Sequence, residues 1–201
     1  MEQLLTGLGL ATAAGLNAYI PMLMLGLAAR FTDVVNLPGG WAWLENGWVL
    51  TIVGVLLVIE MVADKVPALD SINDTMQTLI RPTAGGIVFG SGTAAQTGAV
   101  ADPGEFARSG QWIPVVLGVL IALAVHLIKT AVRPAANVAT AGFAAPVLST
   151  VEDGLSVSLV LVALLLPALV VVILVLIAWA AFGLLRRRRR HRNAQLRQTP
   201  G

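Results

Sequence analysis

From Leu155 to Leu185 the chain runs for 31 residues without a charged side chain. A spanning helix needs about 20 mostly apolar residues, so this stretch alone points away from an ordinary water-soluble domain. Two further segments read the same way. Trp48–Lys65 and Trp112–Lys129 both start on tryptophan, stay apolar for most of their length and turn charged at their ends. The whole chain is 57% hydrophobic and only 12% charged, half the charge of roughly 25% usual in soluble domains.

Three weaker segments, Gln3–Ala29, Thr83–Ala101 and Ala135–Val151, are rich in Gly, Ala, Ser and Thr. Small residues let helices approach closely inside a bundle, so these read as buried spans, with re-entrant loops as the alternative for the last two. The expected fold is all-α: a polytopic membrane protein of about six transmembrane helices. Residues 1–185 form one transmembrane domain, and 186–201 form a basic cytoplasmic tail without fixed structure. "MEQLLTG" lacks the basic region of a cleaved signal and reads as the start of the first span.

Charge placement orients the chain. With the N-terminus in the cytoplasm, Lys65, Arg81, Lys129, Arg133 and the arginine tail fall inside, while Arg30 and Arg108 fall outside. That is a positive-inside pattern, with Trp48 and Trp112 at the outer interface. Both termini are then expected to be cytoplasmic. Seven of the 13 basic residues sit in the tail, leaving six against 11 acids in the body. The tail therefore suits anionic lipid headgroups, and nucleic acid is not the expected partner.

The chain also repeats itself. "VGVLLVIEMVADK" (53–65) overlies "LGVLIALAVHLIK" (117–129) at a constant offset of 64, and each copy leads to an Arg-Pro followed by small residues, at Arg81 and Arg133. The units are about 48–101 and 112–151. Proline suits the first turn of a helix, so each Arg-Pro is expected to open one, with its arginine at headgroup level. The first copy carries an insert whose Asp70 and Asp74 suggest a short amphipathic surface helix.

Several residues could carry chemistry. Glu60 and Asp64 are four apart and share a helix face. His126, Lys129 and Arg133 share another at the same depth. An acid face meeting a basic face would make an ion, proton or phosphate site at the cytoplasmic mouth; a structural ion-pair network is the alternative. "AGLNAYIPML" sets Asn17, Tyr19 and Pro21 in mid-span. A helix broken there frees backbone groups beside polar side chains, as transporters use for substrate sites; a kink with ordinary interhelical bonds is the other reading. Asn137, Thr140, Gln96 and Thr97 could line the same path. Glu152 and Asp153 of "VEDG" suggest an acidic outer mouth, or acids at a helix start.

There is no cysteine, so disulfide and thiol chemistry are excluded, and with two histidines a structural zinc site is not expected. No nucleotide-loop, zinc-protease or serine-hydrolase motif is present, and no cofactor is expected. "FGSGTAAQTG" resembles a few residues of the phosphate loop in membrane glycerol-phosphate acyltransferases, without the rest of that motif.

Together, "AGLNAYIP", the "ADKVPALD" turn, "RPTAGG" and "PVLSTVEDG" resemble the bacterial membrane family catalogued as domain of unknown function 4126, over nearly the whole chain except the tail. The resemblance implies a polytopic inner-membrane protein and supplies no site residues. The functional expectation is a transporter or channel for a small solute or ion, acting as a homo-oligomer. The alternatives are a lipid-phosphate flippase or lipid-modifying enzyme, and a scaffold working through the basic tail.

Overall fold

The computed structural model describes residues 1–37, 39–93, 108, 110, 112–140, 143–176 and 179; among these, the side chains of 67–72, 134, 135, 137 and 139 are not described. No strand occurs among the described residues. The helices are α1 (Glu2–Leu16), α2 (Tyr19–Phe31), a 3-10 segment (Gly39–Glu45), α3 (Gly47–Ala63), α4 (Pro67–Gly92), α5 (Trp112–Ala139) and α6 (Ala144–Leu165). Residues 168–176 are again helical.

α1 is the central rod, packed against α4, α5 and α6. Its sequence explains this. Gly7, Gly9, Ala11, Ala13, Ala14 and Gly15 are all buried, so neighbouring helices can press onto its backbone. A Cβ on Gly15 would stand 2.7 Å from the Ala122 carbonyl oxygen of α5. The tightest crossing joins α4 to α5. A Cβ on Gly85 would lie 2.7 Å from the Gly118 carbonyl oxygen, and one on Gly118 would lie 2.9 Å from the Gly85 carbonyl carbon. Gly54, aligned with Gly118 by the repeat, meets nothing within 4 Å.

These contacts fix the helix directions. Gly7, near the start of α1, meets Phe89 and Thr93 at the end of α4, and Gly90 of α4 meets Val115 near the start of α5. The start of α1, the end of α4 and the start of α5 therefore share one end of the bundle. Leu16, closing α1, reaches Lys129 of α5 at the other end. The expected topology set Met1 and Trp112 on opposite faces; the parallel course of α1 and α5 sets them on the same one.

The expected single span Gln3–Ala29 is a hairpin of two short helices. After the break at Asn17, α2 returns: Arg30 near its end donates to Glu45 O at 2.7 Å, beside the start of α3. At about 1.5 Å per residue, α1 and α2 are about 22 and 20 Å long, short of the roughly 30 Å hydrocarbon core.

The other boundaries shift as well. Pro82 lies inside α4 and Pro134 inside α5, so neither Arg-Pro opens a helix. Interior proline is tolerated where neighbouring helices re-satisfy the freed groups. The expected span Ala135–Val151 is divided between the end of α5 and the first turns of α6. The expected last span breaks at Leu166 (φ −142°, ψ 63°), because the following Pro167 disfavours the helical conformation there. Past this break Val170 packs on Gly9 beside Ala163, so the chain turns over the end of α6. Residues 94–101 and the tail 186–201 lie outside the described residues.

Candidate functional site

The break in α1–α2 is the starting point. Asn17 is extended (φ −144°, ψ 122°). Its Oδ1 accepts from the backbone N–H of Tyr19 at 3.0 Å and of Ile20 at 3.1 Å, capping α2 as an N-terminal asparagine should. Its Nδ2 donates to Asp153 Oδ1 of α6 at 2.9 Å. The preceding helix end is also answered: Lys129 Nζ donates to Leu16 O at 3.1 Å, a cation at the negative end of a helix dipole. Two half-helix ends thus meet in the bundle, each held by a polar side chain.

Around them lies a charge network. Lys129 Nζ also contacts Asp64 Oδ2 at 3.2 Å and Glu152 Oε2 at 3.0 Å, which accounts for all three of its protons. Arg133 Nη2 reaches Asp64 Oδ2 at 3.2 Å and pairs with Glu152 Oε2, while its Nε donates to Glu152 Oε1 at 3.4 Å. Arg81 Nη2 donates to Glu60 Oε1 at 2.9 Å and lies 3.6 Å from Asp64 Oδ2. Asn73 Nδ2 donates to Asp64 Oδ1 at 2.6 Å. Burial would raise the Asp64 carboxyl, but Lys129, Arg133, Arg81 and the Asn73 hydrogen bond outweigh it and hold the group below its ordinary value. Asp64 sits just past the end of α3.

Charge does not balance here. Among the described side chains, five carboxylates (Glu60, Asp64, Asp74, Glu152, Asp153) face three cations (Arg81, Lys129, Arg133), each at most 15% exposed. Lys65, 37% exposed, joins at the rim 3.7 Å from Asp153. His126 adds no charge. Arg81 Nη1 donates to its Nδ1 at 3.2 Å, so that nitrogen holds a lone pair, and the proton on Nε2 faces Thr78 Oγ1 at 3.0 Å. The neutral tautomer follows.

Glu60, Asp64, His126, Lys129, Arg133 and Asn17 are therefore neighbours. Tyr19 lines a cavity with Glu60. Glu152 and Asp153 do not form a separate outer mouth: they lie eight and nine residues into α6 and bond to Arg133, Lys129 and Asn17. They correct the expected topology, because a carboxylate pool this deep in an apolar bundle binds the nearest cations. Arg81 does not stand exposed as a surface anchor would; it is fully buried. The Asn137 side chain, Gln96 and Thr97 lie outside the described residues. Thr140 bonds only locally among its described contacts: its hydroxyl donates to Ala136 O and accepts from the Ala144 N–H, each at 2.9 Å.

Sequence reasoning missed Asn73, Gln77 and the pairing role of Arg81. Their signal was present: residues 73, 77 and 81 recur every four along α4 and form one polar stripe. Among the described residues no group of His, Asp and Glu is arranged to hold a metal ion.

Long apolar helices closing over a buried charge network define a helical protein of membrane type. Trp112–Arg133 and Ala144–Leu165 are long and apolar enough to cross a bilayer, and the 3-10 segment with α3, bent by 61°, adds a third where that pair is taken as one broken span. The chain belongs to the family described as domain of unknown function (DUF4126), which matches over residues 4–187. It matches no curated protein and no solved structure.

Proposed function

We propose that this is an integral membrane transport protein for a small solute or ion. One observation carries the reading: a helix broken inside an apolar bundle has its two half-ends held by Lys129 and Asn17, whose other bonds run to buried carboxylates that outnumber their cations. Transporters build solute sites from such interrupted helices, whose freed ends supply partial charges at mid-depth. Buried ionisable groups in spans mark ion and proton paths.

In this reading α3, α4, α5 and α6 cross the bilayer, the α1–α2 hairpin re-enters, and the charged end of the bundle lies at one face of the membrane. The repeat supports it: its two Arg-Pro copies bring Arg81 and Arg133 to the same Asp64 oxygen, at 3.6 and 3.2 Å. Glu60 is the group that exchanges a proton or cation. A phosphate-binding reading draws less support, because Lys129 and Arg133 already carry carboxylate partners.

The test is current on a solid-supported membrane bearing liposomes of the full chain, challenged with a panel of inorganic cations, amines and amino acids. At least one solute gives a transient current above protein-free liposomes, and Glu60→Gln cuts it tenfold or more. No current from correctly folded wild type across the panel overturns the proposal.

A further inference from the structure

Beside the network, between α2, α3 and α4, lies a cavity of about 260 Å³. Leu56, Ile59 and Met76 form its walls and are exposed on the outside of the bundle at 37, 57 and 60%. The cavity therefore opens sideways, where the bundle would face lipid. Its polar lining is Tyr19, Glu60, Asn73 and Gln77, and the Asn73 amide already donates to Asp64. Glu60 and Gln77 are each 2% exposed, and each keeps an oxygen, Glu60 Oε2 and Gln77 Oε1, with no hydrogen-bond partner. Buried acceptors left unmatched are costly, so this lining is built for something that donates.

The geometry points to a seat for a small primary ammonium compound with an apolar body. An ammonium carries three donors and no acceptor, which suits two orphaned oxygens beside a tyrosine hydroxyl. Its positive charge offsets the carboxylate excess of the network. A carboxylate at the same place would face Glu60 and be rejected, and a neutral alcohol offers a single donor. The aliphatic walls take the rest of the molecule, which enters from the bilayer side between α3 and α4. This deepens the transport reading by naming its substrate class.

Calorimetric titration of the full chain in nanodiscs, with empty nanodiscs as blank, tests the seat using benzylammonium, benzyl alcohol and benzoate. Benzylammonium binds saturably, and the other two bind at least tenfold more weakly. Glu60→Gln weakens benzylammonium binding tenfold or more. Because that change also strips Arg81 of its partner, Met76→Trp provides an independent check: it fills the mouth, leaves every ion pair intact and abolishes binding. Equal binding of the alcohol, or full binding to Met76→Trp, overturns the seat. Current from another solute without benzylammonium binding overturns the seat and leaves transport standing; benzylammonium binding without any current does the reverse.

Discussion

Lys129→Met isolates the centre of the network. The ammonium contacts Leu16 O, Asp64 Oδ2 and Glu152 Oε2, all within 3.2 Å, and its side chain is 2% exposed. Removing one partner of a buried ion pair costs about 3–5 kcal/mol. Asp64 keeps Arg133, Arg81 and Asn73, and Glu152 keeps Arg133, so the lower end, about 3 kcal/mol, applies to the charges. The carbonyl closing α1 loses its donor, which adds about 1 kcal/mol. The expected total is about 4 kcal/mol. Adding Glu152→Gln removes one of the stranded carboxylates, so the double variant recovers about 1–2 kcal/mol relative to the sum of the singles, within the range for contacting residues. Reversible unfolding in mixed micelles, followed by circular dichroism, measures all four corners of the cycle. A loss below about 1 kcal/mol for Lys129→Met, or strict additivity in the double variant, would refute the pairing.

Gly118→Ala forces a Cβ onto the α4 backbone and costs about 1–3 kcal/mol, while Gly54→Ala, facing open space, is neutral or stabilising by up to about 1 kcal/mol; thermal unfolding of both variants checks the contrast. Asn17→Ala removes the cap of α2 and the tie to Asp153, costing about 1 kcal/mol, and hydrogen exchange at Tyr19 and Ile20 accelerates; unchanged exchange contradicts the cap. Asp64 is held below its ordinary value in the folded chain, so its contribution is full above the unfolded value of about 4 and is lost as pH falls through the lower folded one. Wild type therefore loses stability on acidification below about pH 4 more steeply than Asp64→Asn, as paired acid titrations would record.

Much of the site was legible from spacing alone. Glu60 with Asp64, and His126 with Lys129 and Arg133, share faces because the helical period brings residues three and four apart together, and helix formation preserves that period. What spacing misses is whatever one segment does to another. Glu152 and Asp153 looked like an outer mouth because hydropathy treats each apolar run as an independent rod; only the packing of α6 on α1 and α5 shows which level they occupy. The 27 residues from Gln3 to Ala29 have the length of one span, and nothing in their hydrophobicity distinguishes a crossing from a fold-back. Asn17 and Pro21 flagged the interruption, but the direction of return is set by the contacts of Gly26 and Arg30 with the segment before α3. Arg81 was read as a surface anchor because charge implies solvent; α4 continues through Pro82 and carries it inward.

The α1–α2 hairpin has a consequence for biogenesis. A fold-back whose tip bears an asparagine and an interrupted backbone cannot rest alone in hydrocarbon, where every unmatched amide is penalised by several kcal/mol. The partners that accept that tip, Lys129 and Asp153, are translated more than a hundred residues later. Made before α5 and α6, the hairpin is expected to reach its final place only once those helices have built its socket.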